Sequence, residues 1–347
     1  MRYNEKIEKL ETPTMEWNKR TPKEILQYAV GALLYMPATN VKIADEIKSH
    51  RYPSLKSMVL CLEDSIGDAM VEEAEEAVET ILKKLLNCYK EGEISISELP
   101  LIFIRVREIG QMTRLYEKCG EAIKMITGFV WPKINKSNIN GYIKEFEEIS
   151  KKVNEPLYVM PIIESKEVMY KQTRIENLLY LNTALKRIST KVLGIRVGGA
   201  DFCSIFGVRR GMNRTIWDIQ VVADCLADII NIFSRNYVVS GPVWEFFGKD
   251  SNAAWAEGLR RELETDNLNG IIGKTAIHPT QLEVIQESLI VSYSDYKDAM
   301  NILGTSADLI GVQKSYEGNK MNEVKTHSNW AKKIVCLSNI YGVRKEQ

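Results

Sequence analysis

Histidine is scarce: three residues in 347, at His50, His278 and His327, too few and too scattered for a histidine-rich zinc site. Net charge is absent too, with 46 basic residues against 46 acidic ones. No global field therefore draws the chain to nucleic acid or to an anionic membrane. No apolar run is long enough to span a bilayer. The opening stretch MRYNEKIEKLETPTMEWNKR lacks the apolar core of a secretory signal, so a cytoplasmic location is expected. The six cysteines (Cys61, Cys88, Cys119, Cys203, Cys225 and Cys336) form no CxxC pair and read as small core or surface residues of a reducing compartment. Neither GxGxxG nor GxxxxGKS follows the first apolar run, which counts against nucleotide-binding α/β folds. There are no internal repeats and no low-complexity segments.

What the sequence has is alternation. Apolar runs of strand length (GALLYMP, SMVLCLED, PLIFIRVRE, GFVWPKIN, LYVMPIIES, KVLGIRVGGAD, YVVSGPVWEF and GIIGKTAIHP) are mostly separated by helical patterns such as AMVEEAEEAVETILKKLLNCY. Runs apolar on both faces, each followed by a helix, predict parallel strands covered by helices. A count near eight predicts a closed (β/α)8 barrel, a TIM barrel, over an open doubly wound sheet. The expected organisation is an N-terminal extension over 1–24, the barrel over 25–300 and a C-terminal helical extension over 301–347.

In such barrels the chemistry sits at the carboxyl ends of the strands. Those ends carry Glu63 and Asp64, Arg105 and Arg107, Lys133, Glu164, and Asp201. Asp201 after two glycines is ordinary turn chemistry when taken alone. As part of a set it reads differently. Glu164 and Asp201 on neighbouring strands suit Mg²⁺, which takes one or two carboxylates, keeps several waters and accepts substrate oxygens. Magnesium held this way chelates a 2-oxo or 2-hydroxy acid, and Arg105 is placed to stabilise an enolate or oxyanion. These parts describe making or breaking a carbon–carbon bond beside a carbonyl.

The segments LLYMPATN, VLCLEDSI, IFIRV, WPKI, MPIIES, GGADFCSIFG and GKTAIHPTQ, in that order, resemble the citrate lyase beta-subunit-like family within the HpcH/HpaI aldolase superfamily. The resemblance runs from about Gly31 to the C-terminus and is greatest to a divergent C–C bond lyase branch of the tellurium-resistance-cluster type. It implies a (β/α)8 barrel, Mg²⁺ on Glu164 and Asp201, support of the metal waters by Asp64, and contact of Arg105 with the substrate. It also implies homo-oligomers, often trimers. Arg105, Gly199, Ala200 and Lys133 are the candidate substrate contacts; Arg105, Asp64 and Glu323 are the candidate catalytic residues. Glu323 enters through the tail segment GVQKSYEGNKMNEVKTHSNWAKKIV, which resembles the family's closing segment. There an aspartate reaches a neighbouring subunit's site and moves a proton on the acetyl carbon. Aligned on Met321, this chain has Glu323, whose extra methylene moves the carboxyl by more than about 1 Å. The family usually has an arginine just before its first strand, where this chain has Gly31, so the pocket walls differ from those of the relatives.

Blander roles accompany several of these residues. Glu63 is the expected ion-pair partner of an internal base such as Lys133, Cys203 is packing, His278 is a hydrogen-bonded turn former, and Arg209 and Arg210 either clamp a phosphate or carboxylate or, the preferred reading, belong to a solvated loop. The expected function is a Mg²⁺-dependent C–C bond lyase or aldolase acting on an oxo or hydroxy acid or its acyl thioester, a coenzyme A ester among them. The alternatives are a catalytically silent barrel serving as a scaffold subunit, and a phosphoenolpyruvate-type phosphomutase or lyase barrel. Nucleic-acid and membrane partners are not expected.

Overall fold

Ser57–Cys61 is buried at all five positions, as a strand between a packed barrel interior and a helix layer must be. The computed structural model, which describes residues 11–346 apart from 13, builds eight such strands. They are β1 Ala32–Pro37, β2 Ser57–Cys61, β3 Leu101–Arg105, β4 Gly128–Trp131, β5 Tyr158–Ile163, β6 Ile195–Val197, β7 Val239–Ser240 and β8 Lys274–Ala276. Consecutive strands from β1 to β7 pair in parallel, with registers such as Leu34 against Met58, Val59 against Phe103 and Phe129 against Val159. β8 then returns to pair with β1. β7 meets β8 through a parallel bridge between Gly241 and Lys274, which closes the ring. The (β/α)8 barrel expected from the alternation is the observed fold.

Several strands are shorter than their apolar runs. β7 is the extreme case, two residues within Tyr237–Phe246, because Pro242 lacks the N–H needed to continue the ladder. The seam beside it depends on Gly273, which has φ of +71° and lies so close to β1 that a Cβ would stand 2.3 Å from the Gly31 carbonyl oxygen. Only glycine accommodates both conditions.

The helices follow from periodicity. Val71–Lys90 buries Ala74, Ala77, Val78, Ile81, Leu82 and Leu85 along one face, starts with Glu72 and Glu73 and ends with Lys90, complementing its dipole at both ends. Its apolar face joins the layer between helices and strands that also takes Ile102, Ile104, Phe129 and Phe146. Removing one such side chain to alanine costs about 2–5 kcal/mol. Among the described residues, no helix is long and apolar enough to cross a membrane.

The chain divides into two compact units, residues 18–285 holding the barrel, and 286–346 with the described residues before 18. In the second, the helices Tyr293–Gly304 and Val324–Tyr341 pack on each other. Ser292 caps the first of them by accepting from the Asp295 amide at 3.1 Å. Between them lies an antiparallel ribbon, Val312–Lys314 with Met321–Glu323, in a stretch that the sequence reads as helical.

Candidate active site

Every barrel strand ends at one face, and the turns there carry the charged residues. After β2 the chain bends through Leu62, Glu63 and Asp64. Arg107 holds the bend by donating to the carbonyls of Leu62 and Glu63, both at 3.2 Å, and further on to that of Ile66. Arg107 therefore positions the loop that presents Glu63 and Asp64.

Arg105, the last residue of β3, is 6% exposed and stands at the centre of the acids. Its Nη2 lies 2.7 Å from Glu63 Oε2 and 3.2 Å from Glu164 Oε1, and its Nη1 lies 2.9 Å from Asp64 Oδ2. Lys133 closes the group from β4, with Nζ at 2.5 Å from Glu63 Oε1 and 3.0 Å from Asp64 Oδ1. The pairing of Glu63 with Lys133 is the one its position in sequence suggested. Lys133 holds φ of +47°, an uncommon conformation for a residue with a side chain. That twist lets its amide donate to Glu164 Oε1 at 2.9 Å while its ammonium reaches the acids of β2.

Glu164 follows β5 and is buried. Burial pushes its carboxyl up to about 8 against the pull of Arg105, and the neighbouring charge of Asp201 adds to the rise. Burial likewise raises Glu63, with Arg105 opposing. Burial also penalises Asp64, but its hydrogen bond to Glu63 and the charges of Arg105 and Lys133 outweigh this and hold it at about 2. Opposite Glu164, Gly198 leaves the carboxyl its room. A Cβ there would stand 2.2 Å from Glu164 Oε2 and 2.4 Å from Glu164 Cβ.

Asp201 corrects the reading in one respect. β6 ends at Val197, and Asp201 lies in the first turn of the helix Gly199–Ile205 rather than on the strand. The glycine pair stops the ladder, and the helix start then carries the acid, where the dipole favours it. Its carboxylate makes no hydrogen bond or ion pair among the described residues, and it faces the same cavity as Glu164. That cavity has a volume of about 400 Å³ and is bounded by Asp64, Arg105, Glu164, Gly199, Ala200 and Asp201. Lys133 touches the site through Glu63 and Asp64 instead.

The cavity also contains residues that the strand-end reading passed over. Tyr35 of β1, Arg196 of β6 and Thr275 of β8 line it, and Arg196 Nη2 donates to Thr275 Oγ1 at 2.7 Å across the barrel interior. The available signal was a charged residue between Ile195 and Val197 in a strand otherwise wholly apolar.

The remaining candidates fall elsewhere. Glu323 belongs to the second unit, where its amide donates to His327 Nδ1 at 3.0 Å and its Oε2 accepts from Thr326 Oγ1 at 2.8 Å. His278 shares a hydrogen bond of 2.8 Å with Thr280 Oγ1 through Nδ1, the turn-forming role expected of it. Cys203 is buried and its thiol is raised by burial, in keeping with packing. Arg210 is not in a solvated loop: it is buried, with Nε at 3.0 Å from Glu262 Oε2. Arg209, beside it, is exposed and pairs with Glu245 at 3.0 Å.

The donor set admits a hard divalent cation. Among the described residues, no three histidine, cysteine or acidic side chains group as a cage, but magnesium needs only one or two carboxylates. Here four carboxylates (Glu63, Asp64, Glu164 and Asp201) meet two cations, Arg105 and Lys133, and the excess negative charge falls on Glu164 and Asp201. A cation at that pair would offset the burial that chiefly raises Glu164 and the repulsion from Asp201 that adds to it.

A family model described as C–C bond lyase of the TIM-barrel fold matches residues 24–343. Among solved structures, a citrate lyase from Burkholderia xenovorans LB400 is similar at a TM-score of 0.65 and 14% identity, covering 91% of this chain and 94% of that one. The CitE protein of Mycobacterium tuberculosis, in complex with magnesium, acetoacetate and coenzyme A, is similar at a TM-score of 0.57 and 14% identity, covering 90% of this chain and 99% of that one. RipC from Yersinia pestis is similar at 0.51 and 17% identity, over 76% of this chain and 95% of its own. No curated protein sequence gives a significant match.

Proposed function

The chain belongs to the C–C bond lyases of the TIM-barrel fold, and from that premise we propose a Mg²⁺-dependent lyase that cleaves a 2-oxo or 2-hydroxy acid, or its acyl thioester, through an enolate. The observation that carries the proposal is the buried Glu164 carboxyl facing the unengaged Asp201, with Arg105 beside them, at the mouth of the barrel. Glu164 and Asp201 would hold the ion, whose chemistry is to polarise the substrate carbonyl. Arg105, fixed by three acids, presents a preorganised cation where enolate charge develops, at no cost of reorganisation during the reaction. Asp64 stays ionised and orients solvent at the cavity edge. Lys133 keeps Glu63 and Asp64 in place and so acts on the substrate pocket through them, while Gly199 and Ala200 shape the substrate wall.

On this reading the protein works in the cytoplasm as a homo-oligomer, a trimer by family resemblance, and Glu323 supplied by a neighbouring copy protonates the leaving carbon. The magnesium, acetoacetate and coenzyme A bound to CitE make coenzyme A esters reasonable first thioesters to assay. The test is isothermal titration with Mg²⁺, alone and then with pyruvate, glyoxylate or oxaloacetate, comparing wild type with Asp201→Ala. The expected result is oxo-acid binding that requires Mg²⁺ and disappears in the variant. Binding unchanged by the substitution, or no Mg²⁺ binding by either protein, would overturn the lyase reading and leave a silent barrel acting as a scaffold.

A further inference from the structure

Arg196 is the odd charge in the barrel. It is 1% exposed, at the middle of β6, and its Nη2 donates to the neutral Thr275 hydroxyl. Its Nε and Nη1 are buried without a hydrogen-bond partner among the described residues, and no carboxylate forms an ion pair with it. Three acids of the mouth are committed elsewhere: Glu63, Asp64 and Glu164 all lie against Arg105, and Lys133 takes Glu63 and Asp64 as well; the fourth, Asp201, lines the cavity without forming an ion pair with Arg196. A guanidinium buried without a counter-charge is unfavourable unless something supplies one. Burial lowers its affinity for the proton, with the Tyr35 phenol opposing.

Arg196 lines the same cavity as Glu164 and Asp201, together with Thr275 and Tyr35 and the apolar side chains of Met36, Ile162 and Val243. The cavity therefore holds both acids suited to a cation and a buried cation suited to an anion. We propose that Arg196, with Thr275 and Tyr35, forms an anion-binding subsite that takes a carboxylate, and that this carboxylate is the far acid group of a short dicarboxylic substrate. Only the second half rests on the lyase reading; the subsite rests on the geometry around Arg196. A planar guanidinium with two free N–H edges matches a carboxylate in shape as well as charge, and the neighbouring hydroxyls complete the set of donors.

Two arms test the two halves. In the first, magnesium-free protein is titrated with butyrate and with its neutral counterpart butyramide, followed by ligand-observed NMR. Wild type is expected to bind butyrate at least tenfold more tightly than butyramide. Arg196→Met should abolish that preference, and Arg196→Lys should keep part of it. Thermal melting without ligand accompanies this arm. Arg196→Met should melt no lower than wild type, because it removes an unpaired buried charge; a purely structural arginine would make it melt lower. Equal binding of butyrate and butyramide, or a preference that survives Arg196→Met, overturns the subsite. If Arg196→Met does not fold, the subsite role is overturned where Arg196→Lys leaves butyrate binding untouched and supported where that variant weakens it. In the second arm, with magnesium present, oxaloacetate should bind at least tenfold more tightly than pyruvate to wild type and no more tightly to the Arg196 variant. Equal binding of the two by wild type overturns the assignment to the substrate. Binding of neither overturns the lyase reading, and the butyrate arm alone then decides the subsite.

Discussion

Two clusters of acids and bases lie within the barrel unit, and they are built on opposite accounts of charge. Behind the β7–β8 seam, Lys274, at 0% exposure, sits 2.9 Å from Glu262 and 2.5 Å from Asp266. Arg210 pairs with Glu262, the Ile216 amide donates to Glu262 Oε2 at 2.6 Å, and Trp217 Nε1–H donates to Asp266 Oδ1 at 2.8 Å. Two cations meet two carboxylates, and every acid oxygen has a partner. At the mouth, four carboxylates meet two cations, one acid is unengaged, and the group opens onto a cavity. The closed cluster has nothing left to offer a ligand. The open one is unbalanced in the way a binding site has to be before its ligand arrives.

The comparison breaks most visibly at the mouth. Glu164→Gln keeps shape and removes charge, so it should lower turnover at least about a hundredfold, as loss of a group acting at the reacting centre does. It should leave the melting temperature level or raised, because burial already disfavours the ionised form. Turnover assays beside thermal melts check this, and a large fall in melting temperature would mean that Glu164 is structural. At the closed cluster the signs reverse. Lys274→Met leaves the buried Asp266 without a cation and Glu262 with Arg210 alone, and should destabilise the barrel by about 3–5 kcal/mol, read by denaturant unfolding, while the fraction still folded binds Mg²⁺ as wild type does. Loss of Mg²⁺ binding in that fraction would show that the two clusters are not independent.

A smaller effect sharpens the contrast from outside both clusters. Burial lowers Lys56 and Lys19 to about 8, and Lys19 donates to the carbonyl of Ile126 at 2.9 Å. Between about pH 8 and the usual lysine value near 10.5 the unfolded chain binds more protons than the folded one, so stability rises with pH across that window. The gain should be roughly 1–3 kcal/mol for each lysine. Chemical unfolding at pH 8 and pH 10 measures it, and Lys56→Met should flatten the slope. A slope that falls with pH would mean that these lysines are stabilised as cations by partners.

The barrel was legible because its evidence is local. Apolar runs and helical periodicity mark each β/α unit, and Glu63, Asp64, Arg105, Lys133 and Glu164 could be read simply as the residues where runs end. Asp201 was identified for the right cavity but on the wrong element, since two glycines serve equally well to end a strand and to begin a helix. What could not be read depends on residues far apart in the chain. The Lys274 cluster joins β8 to the helix Ala254–Leu268 and the 3₁₀ turn Ile216–Asp218. Arg210 looked like a loop residue because nothing in GVRRGMN announces a buried glutamate fifty-odd positions downstream. Arg196 was hidden by its surroundings: within KVLGIRV it is one polar residue in an apolar run, and only the folded barrel shows that no acid among the described residues pairs with it.

Gly198 gives the site a point of inheritance that carries no chemistry of its own. The space where its side chain would be is filled by Glu164, down to the stem of that residue, so the two positions cannot drift separately. A single codon change from glycine to alanine would displace the acid while every charged residue of the mouth remained in the gene. A lineage could therefore lose this site with all of its apparent signature intact, and a reader of sequences who checked only the acids would count such a descendant as active.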